Sequence, residues 1–378
     1  MAAPDELDFS EAVEYHYGKF PPQNIDAKRA NKPLARAMAA LARYDQVLKG
    51  MHNSEILLGP LRSREAVISS RIEGTITTLD ELLRYEADQE GEDELLTTGH
   101  RNETIETFLY ARALKAAQKQ MESGQPLSPF LLRSAHRILL GFGRGAQDKP
   151  GEFKTDQNYL ADRQRKKVYF IPIKPERLQD GLEALFNFIK SDEWDELTTA
   201  AISHVEFEAL HPFRDGNGRI GRMLITLMLW DMKLISNPHF YVSGYFDQNR
   251  DEYIDRMRNV SARDEWTDWT LFFLDAVEQQ ANLNLAKAEE IRTLYETMKG
   301  EFQRLLSSQW AITALDFMFE RPVFRNNIFL SRSGIPAPTA YRLIRLLAEN
   351  GYLRTLEASS GRRPALYSFE ALLKVARE

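Results

Sequence analysis

A mainly α-helical protein with a small share of β-structure is the fold class the sequence predicts. Three observations carry it. Apolar residues recur at spacings of three and four through ten separate stretches of the 378 residues. A single stretch before the tail, KKVYFIPIKP at 166–175, is instead rich in β-branched and aromatic residues. The last seventy residues follow another order, three short helical patterns and then two strand-like runs about a glycine.

The helical spacing covers 33–49, 61–73, 78–87, 100–121, 128–139, 176–190, 196–209, 218–233, 249–259 and 265–297. Several of these stretches carry start and stop signals. Thr78 and Glu81 form a capping-box pattern, and Gly74 stands where a helix would end. Pro126 and Pro129 punctuate the approach to one helix, and Pro175 opens another. The prolines of 166–175 limit that segment to an edge strand or a short hairpin. In the tail, WAITALDFMFE, NNIFLSRSG and APTAYRLIRLLAENG read as helices, and YLRTLEASSGRRPALYSFE as two strands turning at Gly361. A helix-turn-helix followed by a β-hairpin is the winged-helix pattern. From Gln309 onward there are ten basic and six acidic residues, so this tail is positive inside an acidic chain. Arg342, Arg345, Arg362 and Arg363 suit phosphate contacts to DNA, although dimerisation or another protein contact would serve the same pattern. The expected divisions are a helical extension at 1–98, a central domain at 99–298 and the winged helix at 299–378.

Composition narrows the function classes. The chain is 43% hydrophobic and 28% charged, with a net charge of -6. That balance argues against a protein coated for nucleic acid or an anionic membrane. The absence of cysteine excludes disulfides, thiolate metal sites and cysteine nucleophiles. The acidic, polar start MAAPDELDFSEAVEYHYGKF does not read as a signal peptide. The longest apolar run, MLITLMLW at 223–230, is far short of the ~20 residues of a membrane span. A cytoplasmic location without membrane contact is the expectation.

The stretch HPFRDGNGRIGR at 211–222 does not serve packing alone, because glycines on both sides of Asn217 weaken a helix. Gly216, Asn217 and Gly218 open a helix whose first N–H groups form an anion site. Arg219 and Arg222, three apart, share a face above it and suit a polyphosphate. Asp215 at the mouth of the loop is placed to hold Mg²⁺ beside phosphates. His211 can take a proton from a hydroxyl near neutral pH. A phosphate cradle, a metal ligand and a base are the parts that phosphoryl or nucleotidyl transfer needs.

The same stretch resembles the signature of Fic-domain proteins, HxFx(D/E)GNGRxxR, at every defined position. PGEFKTDQNYL at 150–160 and VYFIPI at 168–173 are similar to the segment and β-hairpin flap that precede it in that family. The N-terminal region resembles the helical extension of many Fic proteins, and a winged-helix tail recurs in similar chains. The resemblance implies a Fic-type helical core and a protein adenylyltransferase, which moves AMP from ATP to a Ser, Thr or Tyr hydroxyl of a target protein. It implies His211 as general base and Asp215 as the Mg²⁺ ligand. Asn217 and the Gly216 and Gly218 amides would steady the α-phosphate, and Arg219 and Arg222 grip the outer phosphates. The flap at Tyr169, Phe170 and Ile171 would take an extended target segment by strand addition. Tyr253 and Asn259 would contact the adenine, with Ile254 departing from the tyrosine pair of relatives. A homodimer is left open, as relatives often form one.

SSRIEG at 69–74 fits the family's inhibitory pattern, (S/T)xxxE(G/N). Ser69 and Glu73 share one helix face, and Gly74 caps it. The resemblance implies that Glu73 pairs with Arg222, displaces the γ-phosphate contact and holds the protein autoinhibited. Two rival readings remain. His204, Glu208 and His211 stand at i, i+4 and i+7, a spacing that can ligate zinc, but they do not form H-E-x-x-H. Alternatively the chain is a winged-helix DNA-binding regulator with its core as a nucleotide sensor. Lys154 and Asn158 either line the site or fix the flap.

Overall fold

The protein is described from a computed structural model, which covers residues 7–51, 54–92, 94–162 and 166–377. The chain begins with β1 (Val13–Glu14), α1 (Ala27–Lys49), α2 (Ser54–Ile72), α3 (Leu79–Gln89), α4 (Asn102–Glu122) and α5 (Pro129–Leu139). There follow β2 (Leu160–Asp162), β3 (Lys167–Ile171), α6 (Leu178–Ile189), α7 (Glu196–Leu210) and α8 (Asn217–Asp231). Next come α9 (Ser243–Gln248), α10 (Arg250–Arg263), α11 (Trp266–Leu306) and α12 (Ala311–Glu320). The tail adds β4 (Val323–Arg325), α13 (Asn326–Arg332), α14 (Ala337–Glu349), β5 (Arg354–Glu357), β6 (Leu366–Ser368) and α15 (Glu370–Arg377). The mainly helical expectation holds.

Boundaries shift where local caps act. Helix α1 starts at Ala27, ahead of the boundary that the spacing predicts at Pro33, because the Asp26 side chain accepts from the amides of Lys28 and Arg29. The capping box of Thr78 and Glu81 forms as read. Gly74, at φ +82°, ends α2: the Thr75 amide reaches the Ser70 carbonyl and the Gly74 amide that of Arg71.

Two compact units divide the chain, Met1–Ala42 with Arg112–Asn282, and Arg43–Ala111 with Leu283–Glu378. In the first unit, α7 and α8 form the centre and are buried nearly all round. Helix α6 packs on α7, α5 on α8, and α10 on α7. A helix that is apolar on every side is a core helix, and MLITLMLW is one. Gly221 lets α8 come close to α7: a Cβ there would meet the Phe207 ring at 3.1 Å.

The small sheet of this unit has the order β1-β3-β2. The sequence predicts an edge strand or hairpin at 166–175, with Tyr169, Phe170 and Ile171 offering an edge to a target. The hairpin is present as antiparallel β2 and β3, and only the free edge is corrected: all three residues lie in β3, the central strand. Antiparallel β2 occupies one side, and β1 pairs in parallel on the other, Val13 with Phe170 and Glu14 with Ile171. The Val168 amide donates to the Asp8 carbonyl, and Arg258 donates to the carbonyls of Tyr169 and Glu11. A strand of two residues leaves no alternating pattern to read, so β1 has no signature in the sequence.

The β1 segment is anchored deep in the unit. The Tyr15 hydroxyl donates to Glu206 Oε1 at 2.6 Å, and His16 contacts Glu206 Oε2 and Ser261 Oγ at 2.7 Å each. Glu206 and His16 are both buried, and a buried carboxylate is tolerated only with its oxygens satisfied. Burial, reinforced by the Glu206 charge, pushes the Tyr15 hydroxyl far above its ordinary pKa.

In the second unit, α2 packs on α12 and α15, and α3 packs on α2 and β4. Leu83 and Ala87 of α3 share a core with Val323, Leu366 and Leu373 of the tail. Ion pairs line this contact: Asp80–Arg377 at 2.9 Å, Asp88–Arg325 at 2.6 Å and Glu90–Arg321 at 2.8 Å. The tail sheet is antiparallel, in the order β4-β6-β5. The two strands about Gly361 are present, and two elements are additional: the three-residue β4 and the closing helix α15.

Removing one hydrogen bond to the buried Glu206 isolates its contribution. Tyr15→Phe should lower the unfolding free energy by about 1.5–3 kcal/mol in urea melts, the range for bonds to charged groups. A change within about 0.5 kcal/mol would show that Glu206 is solvated otherwise.

Candidate active site

Helix α7 begins with Asp195, whose side chain caps the Thr198 amide, and ends at Leu210. His211 then takes the left-handed conformation, φ 46° and ψ 61°. For a residue with a Cβ this costs on the order of 1–3 kcal/mol and persists only where the surroundings enforce it. They do so through the loop carbonyls. Leu210 O accepts from Lys154 Nζ at 3.0 Å, His211 O from Asn158 Nδ2 at 3.1 Å and Pro212 O from the Lys154 amide at 2.8 Å. Phe213 O accepts from Asn158 Nδ2 and from Asn217 Nδ2, and Asp215 O from His136 Nε2. Lys154 and Asn158 therefore hold the 211–217 loop, and among the described residues neither side chain bonds to the flap.

Asn217 closes the loop from the far end. Its Oδ1 accepts from the Phe213 amide at 2.8 Å while its Nδ2 donates to the Phe213 carbonyl at 2.8 Å. The side chain expected to steady a phosphate is thus paired with backbone. What its helix position leaves open is its amide, together with those of Gly218 and Arg219, which the first turn of a helix leaves without intrahelical acceptors. Gly216 precedes them at φ +77°, a conformation that favours glycine.

His136 carries no signal in the sequence, since it is one histidine among the polar and apolar residues of an amphipathic helix. It is fully buried on α5. Its ring lies 3.8 Å from that of Phe213, nearly parallel at 8°. Nδ1 accepts from the Gly151 amide at 2.8 Å, so the proton sits on Nε2 and is donated to Asp215 O at 2.9 Å. Burial lowers its pKa to about 4, helped by the Arg219 charge. It is a neutral spacer between the Gly151 turn and the loop.

Two arginines project from α8. Arg219 is 4% exposed, and its Nε and Nη1 are buried with no acceptor among the described residues. A guanidinium in that state is short of an anion. Arg222 is also buried. Asp215, by contrast, is exposed at the mouth, with Oδ1 accepting from the Gly216 amide at 2.7 Å. Arg214 beside it pairs with Asp156. His211 is half-buried, and its Nδ1 faces Glu208 O at 3.3 Å, which assigns the ring lone pair to Nε2.

Two other expected site residues, Tyr253 and Asn259, lie on α10. Tyr253 is 2% exposed, stacks on Phe246 at 4.3 Å, and donates its hydroxyl to His204 Nε2 at 2.7 Å. That is the setting of a packed core residue. Asn259 is half-buried near the end of α10. His204 uses its other nitrogen on Gly221 O at 3.2 Å, and burial lowers its pKa to about 3. Both ring nitrogens are engaged, which removes the zinc alternative. Ser69 is buried near the end of α2, and Glu73 and Gly74 are exposed just beyond it, all three in the second unit. Of the four tail arginines, Arg345 pairs with Glu349, and Arg363 with Glu357 and Asp88.

Comparison with known proteins follows the same residues. Residues 31–119 match the Fic/DOC family N-terminal model and residues 126–229 the Fic/DOC family model. The protein adenylyltransferase fic-1 of Caenorhabditis elegans is 27% identical over 131 residues, 34% of this chain and 24% of that protein. The probable protein adenylyltransferase of Aquifex aeolicus (strain VF5) is 32% identical over 92 residues, 24% of this chain and 26% of that one. The match thus spans about a quarter of these curated relatives. A Fic family protein from Desulfovibrio desulfuricans G20 superposes with a TM-score of 0.55 at 20% identity, covering 92% of this chain and 98% of that one. Fic-1 (aa134 - 508) of C. elegans superposes at 0.50 and 18%, covering 71% and 74%. At these identities the solved structures bear on the fold.

The two lowered histidines give a pH dependence with a definite sign. Both rings stay neutral in the folded chain down to about pH 4 or 3 and gain protons near their ordinary value when unfolded. Their contribution is complete above about pH 6.5 and is lost as the pH falls from there towards 4, on the order of 2 kcal/mol for each at about pH 5. Urea melts at about pH 7.5 and 5, with imidazole NMR of the native protein, check this; either ring titrating near 6.5 in the folded state contradicts it.

Proposed function

The chain belongs to the Fic/DOC family, and from that premise we propose that it is a protein adenylyltransferase, transferring AMP from ATP to a hydroxyl side chain of a target protein. One observation carries the reading most: the buried Arg219, with Nε and Nη1 lacking acceptors among the described residues, beside the open first turn of α8. This is a site built to be completed by phosphate oxygens. A loop of half-buried His211 and exposed Asp215 stands at its mouth. No helix among the described residues is long and apolar enough to cross a membrane.

His211 Nε2 takes the proton of the attacking hydroxyl as its oxygen bonds to the α-phosphorus, and pyrophosphate leaves. The amides of Asn217, Gly218 and Arg219 orient the α- and β-phosphates, and Arg219 and Arg222 bear on the outer ones. Among the described residues no group of three or more acidic or histidine side chains can by itself hold a metal. The exposed Asp215 still fits Mg²⁺, which takes one or two carboxylates and draws further ligands from phosphates and water. When bound, the ion would neutralise phosphate charge.

Specificity and control extend this reading. The extended target segment adds to the outer edge of β2, Leu160–Asp162, since β3 has partners on both sides. The adenine is met by Asn259, while Tyr253 supports the pocket from behind. Glu73 acts as the brake by pairing with Arg222, with Ser69 and Gly74 shaping the end of the helix that presents it. The winged-helix order of the tail leaves DNA or protein contact as its role.

Label from α-phosphate-labelled ATP tests the reaction, the brake and the base together. Glu73→Gly should raise incorporation into target or self at least about tenfold, and adding His211→Ala should remove it by about 10²–10⁴-fold. Equal labelling by wild type and Glu73→Gly removes the brake; persistent labelling without His211 removes the base. In Arg219→Ala, direct ATP binding should weaken by about 10-fold or more, the loss of a charge-assisted hydrogen bond of roughly 1.5–3 kcal/mol.

A further inference from the structure

Three features of the first unit meet at one side chain. Asn158 Nδ2 donates to two carbonyls of the motif loop, His211 O at 3.1 Å and Phe213 O at 2.9 Å. Its Oδ1 accepts from Lys154 Nζ at 2.9 Å, and this fixes which end of the amide faces the loop. Lys154 is itself buried and reaches Leu210 O, the last residue of α7.

We propose that Asn158, backed by Lys154, is the positioning residue for His211, rotating the base towards the acceptor hydroxyl by holding the carbonyls on either side of Pro212. The proposal rests on the adenylyltransferase reading. Its physical basis is narrower. At His211 the backbone adopts a left-handed bend that its own Cβ opposes. Two donors on one rigid amide clamp the carbonyl of the bent residue and the carbonyl two residues on. Turning His211 back to an ordinary conformation would swing its carbonyl away from Nδ2, and the ring with it. Among the described residues the same amide bonds neither Arg219 nor the first turn of α8 directly, and Asn217 keeps its own two bonds to Phe213, so its influence falls on the base and leaves the phosphate cradle in place. Burial lowers the Lys154 pKa to about 7. Its neutral amine still has two hydrogens for its two acceptors, so the clamp survives deprotonation.

Asn158→Asp separates this from a general structural role. It keeps volume and the Lys154 partner but replaces the nitrogen that carries both donors with an oxygen that repels the two carbonyls. In the Glu73→Gly protein, the AMP-transfer rate should fall about 10²-fold, the effect of a misplacement of roughly 1 Å. ATP affinity, read by calorimetry on the same samples, should change by less than about 3-fold, because the phosphate-binding groups are untouched. Imidazole NMR should show the His211 ring shifted, with its Nδ1 proton no longer held by Glu208 O. A transfer rate within about 3-fold of the parent, or ATP affinity falling by the same factor as the rate, overturns the proposal. If the parent itself transfers no AMP, the adenylyltransferase reading fails, and an unchanged His211 spectrum in Asn158→Asp would separately overturn the positioning role. Should Asn158→Asp not fold, Lys154→Met carries the same test: it removes the donor behind Asn158 at similar volume and should lower the rate with ATP affinity kept.

Discussion

Irregular backbone lying among buried residues must find partners for its carbonyls and amides, and the loop between α7 and α8 is organised around that demand. Pro212, Phe213, Gly216 and Asn217 are buried there. An unpaired polar group among them would cost as much as several packed methylenes recover. The partners come from α5 and the segment after it: His136, Lys154 and Asn158, with Asn217 closing the loop on itself. Each of these takes a carbonyl. With the carbonyls drawn to that side, the free dipoles that remain towards the mouth are the amides of the first turn of α8. The proposed anion cradle follows from satisfying the loop, and so does the bend at His211.

The same constraint explains why the loop's neighbours are so apolar. Helices α7 and α8 bury almost every side chain, leaving a low-dielectric wall behind the loop. In such surroundings a neutral His136 and a neutral His204 are favoured, while Arg219 Nε and Nη1 are left without acceptors among the described residues. Those unsatisfied donors cost stability locally, as the proposed phosphate site would require.

The N-terminal segment and the flap are joined by similar reasoning. Glu206 faces the interior from α7 and needs donors, and Tyr15 and His16 supply them. Once anchored, the residues just before Tyr15 run beside β3 and occupy its second edge. In the other unit, the segment that ends in Ser69, Glu73 and Gly74 is not a free extension. It shares its packing with the tail, through α2 on α12 and α15 and through α3 on the tail core. Elements far apart in the chain thus form one body, carrying the proposed brake together with the tail sheet.

What the sequence determined by itself is local. Ten helical stretches, the capping box at Thr78, the stop at Gly74 and the dense string from His211 to Arg222 all depend on neighbours within a few residues, where spacing and propensity act directly. The family could be read from that string because a loop opening a helix is a local object. Only the tertiary structure decided where each functional side chain's hydrogen bonds go. It turned the Asn217 side chain to backbone, placed Tyr253 in the core and put β3 between two strands. It also brought His136, Lys154 and Asn158 under the loop. Those partners lie 53 to 79 residues from the carbonyls they hold, and no periodicity spans such a distance: burial selects them only after the helices have packed.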